Sequence, residues 1–172
     1  MTVSRVLAAM ALIAIVVGSA EVPAVARADA TAGDLGSHSD WIWPLDDARL
    51  DAPFVAPPHR YGAGHRGIDL RAIGSDAVRA PAAGVVAFAG QVAGRGVVTI
   101  DHGDGWVTTL EPVAPDLAPG TAVGRSAIVG TLSLGGHAPP GTLHFGVRLH
   151  GEYVNPLMLL GGVPRAILLP CC

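Results

Sequence analysis

The chain has 172 residues and a formal net charge of −3, and its 11 basic residues are all arginine. That mild acidity argues against a nucleic-acid binder, which would want a basic face. Half of the residues are hydrophobic and 15% are charged, enough apolar material for a substantial core.

Arg5, an apolar run over Val6–Ala20 and the small-residue stretch "EVPAVARADA" open the chain. A positive start, an apolar middle and an Ala-x-Ala exit predict a secretory signal peptide over residues 1–30, cleaved after Ala28 or Ala30. The run is shorter than the roughly 20 residues of a membrane helix. The expectation is therefore export with no integral span, an uncleaved anchor being the competing reading. About 140 residues then remain, the size of one domain.

Residues 31–40 are small and polar and read as a flexible leader. "WIWPLDDARLDAPFVAPPHRYGAGHRGIDLRA" is dense in proline and glycine and reads as loop and edge strand rather than helix. From Ala77 onward strand-like runs recur: "VRAPAAGVVAFAG", "GRGVVTIDHGDG", "WVTTL", "SAIVGTLSL" and "LHFGVRLHG". They are rich in Val, Ile and Thr and separated by turn residues, which predicts an all-β sandwich or barrel over residues 41–162. Residues 163–172 form a C-terminal tail ending in Cys171 and Cys172. Adjacent cysteines cannot staple a domain, so they read as a frayed tail or as a link to another chain.

His65 and Asp69 lie four apart in "GHRGID", a spacing that puts both on one face of an extended segment. Gly64 and Gly67 permit the bend that contact between them needs. His144 stands alone in the apolar alternation of "GTLHFGVRLH" and shares a face with Thr142 and Gly146. Two imidazoles and a carboxylate are a ligand set that zinc takes in catalytic sites, where a fourth position is left to water. Each residue also has an ordinary reading: Asp69 as a turn cap, His65 as a solvated loop residue, His144 as a satisfied core histidine. Spacing alone leaves both readings open.

An internal echo between "AVRAPAAGVVAFAG" and "AVGRSAIVGTLSLGG" is similar to the paired half-motifs of biotin- and lipoate-carrying domains. Those domains attach their cofactor to a lysine, and this chain has none. The ordered series "GHRGIDL", "VRAPAAGVVAFAG", "GVVTIDHGDGWVTTLEPV", "APGTAVGRSAIVGTL" and "LHFGV…YVNPLMLL" resembles the lysostaphin-type, LytM-like zinc metallopeptidases from about Trp41 to Leu160. The nearest pattern is a secreted subgroup of high-GC Gram-positive bacteria, with W-x-W-P-L, G-H-R-G-V-D-L and T-T-Y-E-P.

The resemblance implies a small antiparallel β fold with a zinc groove and a peptidoglycan peptide as substrate. It places zinc ligands on His65 and Asp69, from H-x-x-x-D, and on His144, the second histidine of H-x-H. His102 is implied to be structural. The first histidine of H-x-H is here Thr142, and "LEP" puts Leu110 and Pro112 where a Y-x-H motif has its tyrosine and assisting histidine. A threonine hydroxyl can donate a hydrogen bond but cannot trade protons near neutral pH.

Glu111 and His137 are the candidates to replace the lost acid–base help. Alternation along "TTLEP" turns Glu111 away from Leu110 and Pro112, and His137 sits on a loop before the metal strand. His150 lies about 20 Å from His144 along an extended chain, too far for zinc. Two functions follow: a secreted zinc endopeptidase of the cell wall, or a non-catalytic protein that uses the same groove to bind peptidoglycan or regulate a partner wall hydrolase.

Overall fold

The computed structural model describes residues 41–136 and 139–161. The expected signal peptide, leader and tail, Cys171, Cys172 and His137 all lie outside the described residues. Among the described residues eleven strands form, beginning with β1 (Ala48–Ala52), β2 (Ile68–Ala72), β3 (Ala77–Arg79), β4 (Gly84–Val92) and β5 (Arg95–Gly103). They continue with β6 (Trp106–Glu111), β7 (Val113–Pro115), β8 (Ala122–Val123), β9 (Ile128–Leu132), β10 (Thr142–Leu149) and β11 (Glu152–Val154).

The larger sheet has eight antiparallel strands in the order β1-β2-β10-β6-β5-β4-β8, with β11 paired to β10. Strand β2 flanks the first half of β10 and β11 the second half. The smaller sheet runs β3-β9-β7. The all-β expectation holds, and the two sheets pack as a sandwich. Sequence reading treated the Pro/Gly-rich segment before Ala77 as loop and edge strand. Strand β1 is an edge strand, but β2 is interior, between β1 and β10.

Period-2 alternation explains which face is buried. Ile68, Leu70, Val98, Ile100, Leu110, Leu143, Phe145 and Val147 of the large sheet are all within 1% of full burial. Val78, Val113 and Val129 of the small sheet, each fully buried, join them in one cluster. Three two-residue connections, Ala93–Gly94, Asp104–Gly105 and His150–Gly151, have positive φ at both positions. That is the type I′ geometry that matches strand twist in tight hairpins. His150 thus sits in a turn, its amide donating to the Gly105 carbonyl at 2.9 Å.

His102 is structural, as the resemblance implied. Its Nδ1 donates to the Ala83 carbonyl at 2.8 Å, and its Nε2 lies 2.9 Å from the hydroxyl of fully buried Thr108. The Trp41 ring covers it at 4.8 Å. Burial pushes the His102 pKa below its ordinary 6.5, against smaller opposing effects of the Ala83 carbonyl and Asp101.

Two outcomes test this packing. Phe145→Ala should cost about 3–5 kcal/mol in urea denaturation; a loss under about 1 kcal/mol would contradict a core position. Because the unfolded chain binds the His102 proton more readily than the folded one, stability should fall as pH drops below 6.5. His102→Gln should flatten that fall between pH values on either side of it, and an identical pH profile for the variant would refute the assignment.

Candidate metal centre

One rung of the large sheet carries three polar residues. Asp69 of β2 stands opposite His144 of β10, and His144 stands opposite Glu111 of β6. Opposed residues project to the same face, and adjacent strands lie about 4.8 Å apart. Their chain neighbours Ile68, Leu70, Leu143, Phe145 and Leu110 are buried in the core, so all three polar side chains emerge on the other face.

His65 reaches the same place from the loop before β2. Its amide donates to the Val55 carbonyl at 2.9 Å and its carbonyl accepts from the Val55 amide at 3.0 Å. Its Nδ1 lies 2.7 Å from the Pro53 carbonyl oxygen. A carbonyl only accepts, so Nδ1 carries the hydrogen and, in the neutral ring, Nε2 presents a lone pair.

That Nε2 is 3.1 Å from Asp69 Oδ1 and 3.2 Å from His144 Nδ1. His144 Nδ1 is 2.8 Å from the same carboxylate oxygen. Ligand atoms about 2.0–2.2 Å from a tetrahedral zinc stand roughly 3.3 Å from one another. The donor set therefore fits such an ion in number, chemical type and spacing. Burial chiefly, opposed by the neighbouring Asp69 carboxylate, lowers the His144 pKa below 6.5. The ring is then neutral at pH 7, as a ligand must be.

Gly67 makes room for this arrangement. A Cβ there would run into the Phe145 carbonyl oxygen and come within 2.8 Å of two atoms of the His144 ring. The side chains of Asp69 and His144 are only 10% and 12% exposed, that of His65 20%. His65 and His144 line a groove of about 440 Å³ whose walls also include Arg66, Arg95, Thr109, Glu111 and Tyr153.

The remaining predicted residues divide. Leu110 is fully buried in the core and Glu111 faces the groove. This corrects the alternation argument, which put Leu110 and Pro112 on the metal side and turned Glu111 away. Leu110 pairs with Val98 and Phe145, both core residues, and β6 ends at Glu111, so strand parity does not extend to Pro112. Thr142 lies on the His144 face but is 1% exposed and does not line the groove. Its Oγ1 is buried without a hydrogen-bond partner among the described residues.

Sequence reading missed Arg95, whose Nε lies 3.0 Å from Glu111 Oε2. No local signal marks it: Arg95 shares parity on β5 with Thr99, and only the β5–β6 pairing that sets Thr99 opposite Thr109 brings it to the groove. It also missed Arg66, although it directly follows His65 in the chain, and Tyr153, which only the β10–β11 hairpin brings to the groove.

Residues 63–156 match peptidase family M23, and the chain belongs to that family. An uncharacterised protein of Mycobacterium tuberculosis is 34% identical over 135 residues, which cover 69% of this chain and 54% of that protein. The DD-carboxypeptidase/endopeptidase Mpg of Neisseria gonorrhoeae is 31% identical over 128 residues, covering 72% of this chain and 30% of the relative. The chain thus spans about half, or less, of the length of these relatives. Helicobacter pylori Csd3 shares the fold with a TM-score of 0.58 at 26% identity, over 70% of this chain and 34% of that one.

The protein should take up one zinc per chain, and His144→Ala should weaken uptake by more than about 100-fold, beyond what loss of an outer-shell partner costs. Competition against a colorimetric chelator measures both. Undiminished zinc affinity in the variant would remove His144 from the ligand set.

Proposed function

We propose that this chain is an exported zinc endopeptidase that cleaves peptides of bacterial peptidoglycan and belongs to the secreted subgroup of high-GC Gram-positive bacteria. The observation that carries the reading is the convergence of His65, Asp69 and His144 on one point, with both histidines lining an open groove. Family membership supports the reaction class, similarity to the gonococcal DD-carboxypeptidase/endopeptidase supports a peptide substrate, and the mycobacterial relative supports the subgroup.

His65 Nε2, Asp69 Oδ1 and His144 Nδ1 would hold the zinc, which supplies Lewis acidity and activates water when bound. Glu111 is the carboxylate positioned to take up a proton, since it shares a sheet rung with His144 and opens on the same groove. Arg95 pairs with it at 3.0 Å, orienting the carboxylate and placing a fixed positive charge where negative charge develops. His137, five positions before β10 in the sequence and outside the described residues, is the second candidate for proton transfer. Thr142 retains a hydrogen-bonding hydroxyl but cannot exchange protons near neutral pH.

A second reading keeps the groove and drops the reaction. The positions aligned with assisting histidines are Pro112 and Thr142, neither of which carries an acid–base group, and Thr142 is covered. That favours a protein that binds wall peptide or regulates a partner wall hydrolase.

Incubation with purified peptidoglycan decides between them: the peptidase releases new amino groups, and a zinc chelator stops the release. Silence in the zinc-loaded state supports the binding role instead. If cleavage occurs, Glu111→Gln should lower kcat about 10²–10⁴-fold with zinc content unchanged. A full rate in that variant would move the role to His137, tested by His137→Ala.

A further inference from the structure

A second cavity of about 480 Å³ adjoins the metal groove and shares Arg66 and Tyr153 with it. Arg60 and Arg148 also line it, together with one carboxylate, Glu152. The guanidinium carbons of Arg66 and Arg148 each lie 5.9 Å from the centre of the Tyr153 ring, within cation–π range. Arg66 Nη2 donates to the carbonyls of Arg60 and Gly62 at 2.9 and 3.0 Å, which fixes one edge of its guanidinium.

The charge pattern is what points to a ligand. Arg49, Arg71, Arg79 and Arg95 each have a carboxylate partner. Arg60, Arg66 and Arg148 form no ion pair among the described residues, even with Glu152 in the same cavity. Three gathered cations repel one another unless an anion joins them. Guanidinium groups match a carboxylate through paired N–H donors, and such charge-assisted bonds are the stronger kind. The chain as a whole is acidic at −3, so this basin stands out locally.

Its place on the sheet fixes the distance from the metal. Arg148 shares the groove face of β10 with His144 and pairs with Tyr153 across the β10–β11 hairpin. Four strand residues separate His144 from Arg148, about 13 Å of extended chain. We propose that the Arg60–Arg66–Arg148 cavity is a subsite for a free carboxylate of the bound peptide, lying some four residues from the bond at the metal. The carboxylate is an acidic side chain or a chain end. Its distance from a cleaved bond rests on the peptidase reading, but recognition of the acid does not.

The test is calorimetric binding of four peptides to the zinc-loaded protein: N-acetyl-Ala-Glu-Ala-Ala as acid and as amide, and the same pair with Gln in place of Glu. Removing the recognised carboxylate should weaken binding roughly tenfold, as loss of a charge-assisted hydrogen bond does, and the better-bound pair identifies its source. Arg148→Gln should bring the ratio to within about twofold, and Arg148→Lys should restore part of it. Arg60→Gln, at an exposed position, should also reduce the ratio, and it covers the case in which Arg148→Gln does not fold.

Equal or undetectable binding of all four peptides by the wild type would overturn the subsite. So would full discrimination in a folded arginine variant with normal zinc content. Cleavage without discrimination sinks the subsite alone. Discrimination without cleavage leaves the subsite standing and sinks the peptidase reading.

Discussion

The register between β2 and β10 governs the site. Asp69 and His144 come from segments 75 residues apart, yet they face one another because Ile68 pairs with Phe145 and Leu70 with Leu143 on the other side of the sheet. Each of those four side chains is fully buried, and each such burial contributes about 1.5–3 kcal/mol. A slip of one residue would drive the carboxylate and the imidazole into the core and expose the apolar set. The hydrophobic pattern thus holds in place a group of polar atoms that would not gather unaided. His144 Nδ1 and His65 Nε2 lie 2.8 and 3.1 Å from the same Asp69 oxygen, and that pairing matters because burying an unpaired carboxylate is costly.

The same constraint explains how much could be read from the sequence. Strand alternation and turn chemistry are local, so the runs from "GVVAFAG" to "LHFGVRLHG" and the turn residues between them were visible in the chain itself. The ligand set was legible because His65 and Asp69 are near neighbours and His144 interrupts an apolar strand. Joining the two halves took the family resemblance, since no local rule brings β2 beside β10. Strand β2 was harder: its Ile68 and Leu70 lie between Gly67 and Gly74, and the nearby glycines mask a short interior strand.

Glu111 shows where pattern reasoning failed. The alternation rule was sound, since Leu110 and Glu111 do face opposite ways. The error lay in anchoring the rule to the aligned motif rather than to the core. Leu110 has Val98 and Phe145 as cross-strand partners, and that apolar environment settles which way the strand is turned. Arg95 was invisible for a related reason. It follows a tight turn and meets Glu111 only because β5 lies beside β6, a pairing that depends on the whole sheet.

The Arg95–Glu111 pair changes what the groove can do. An imidazole near neutrality both gives and accepts protons, whereas a guanidinium stays charged and can only donate hydrogen bonds. In the proposed peptidase, proton traffic and charge stabilisation are therefore divided between two side chains. Glu111 is the proton acceptor, and Arg95 provides a permanent field beside it. The 3.0 Å pair has side chains 25% and 11% exposed, partly shielded from solvent, where a fixed charge acts more strongly than in bulk water. Continuing along the same face, the Arg66–Tyr153 wall extends that positive field into the neighbouring cavity. A peptide bearing a negative charge would thus be drawn along the groove and set across the metal donors by arginines, in a chain that has no lysine to take their place.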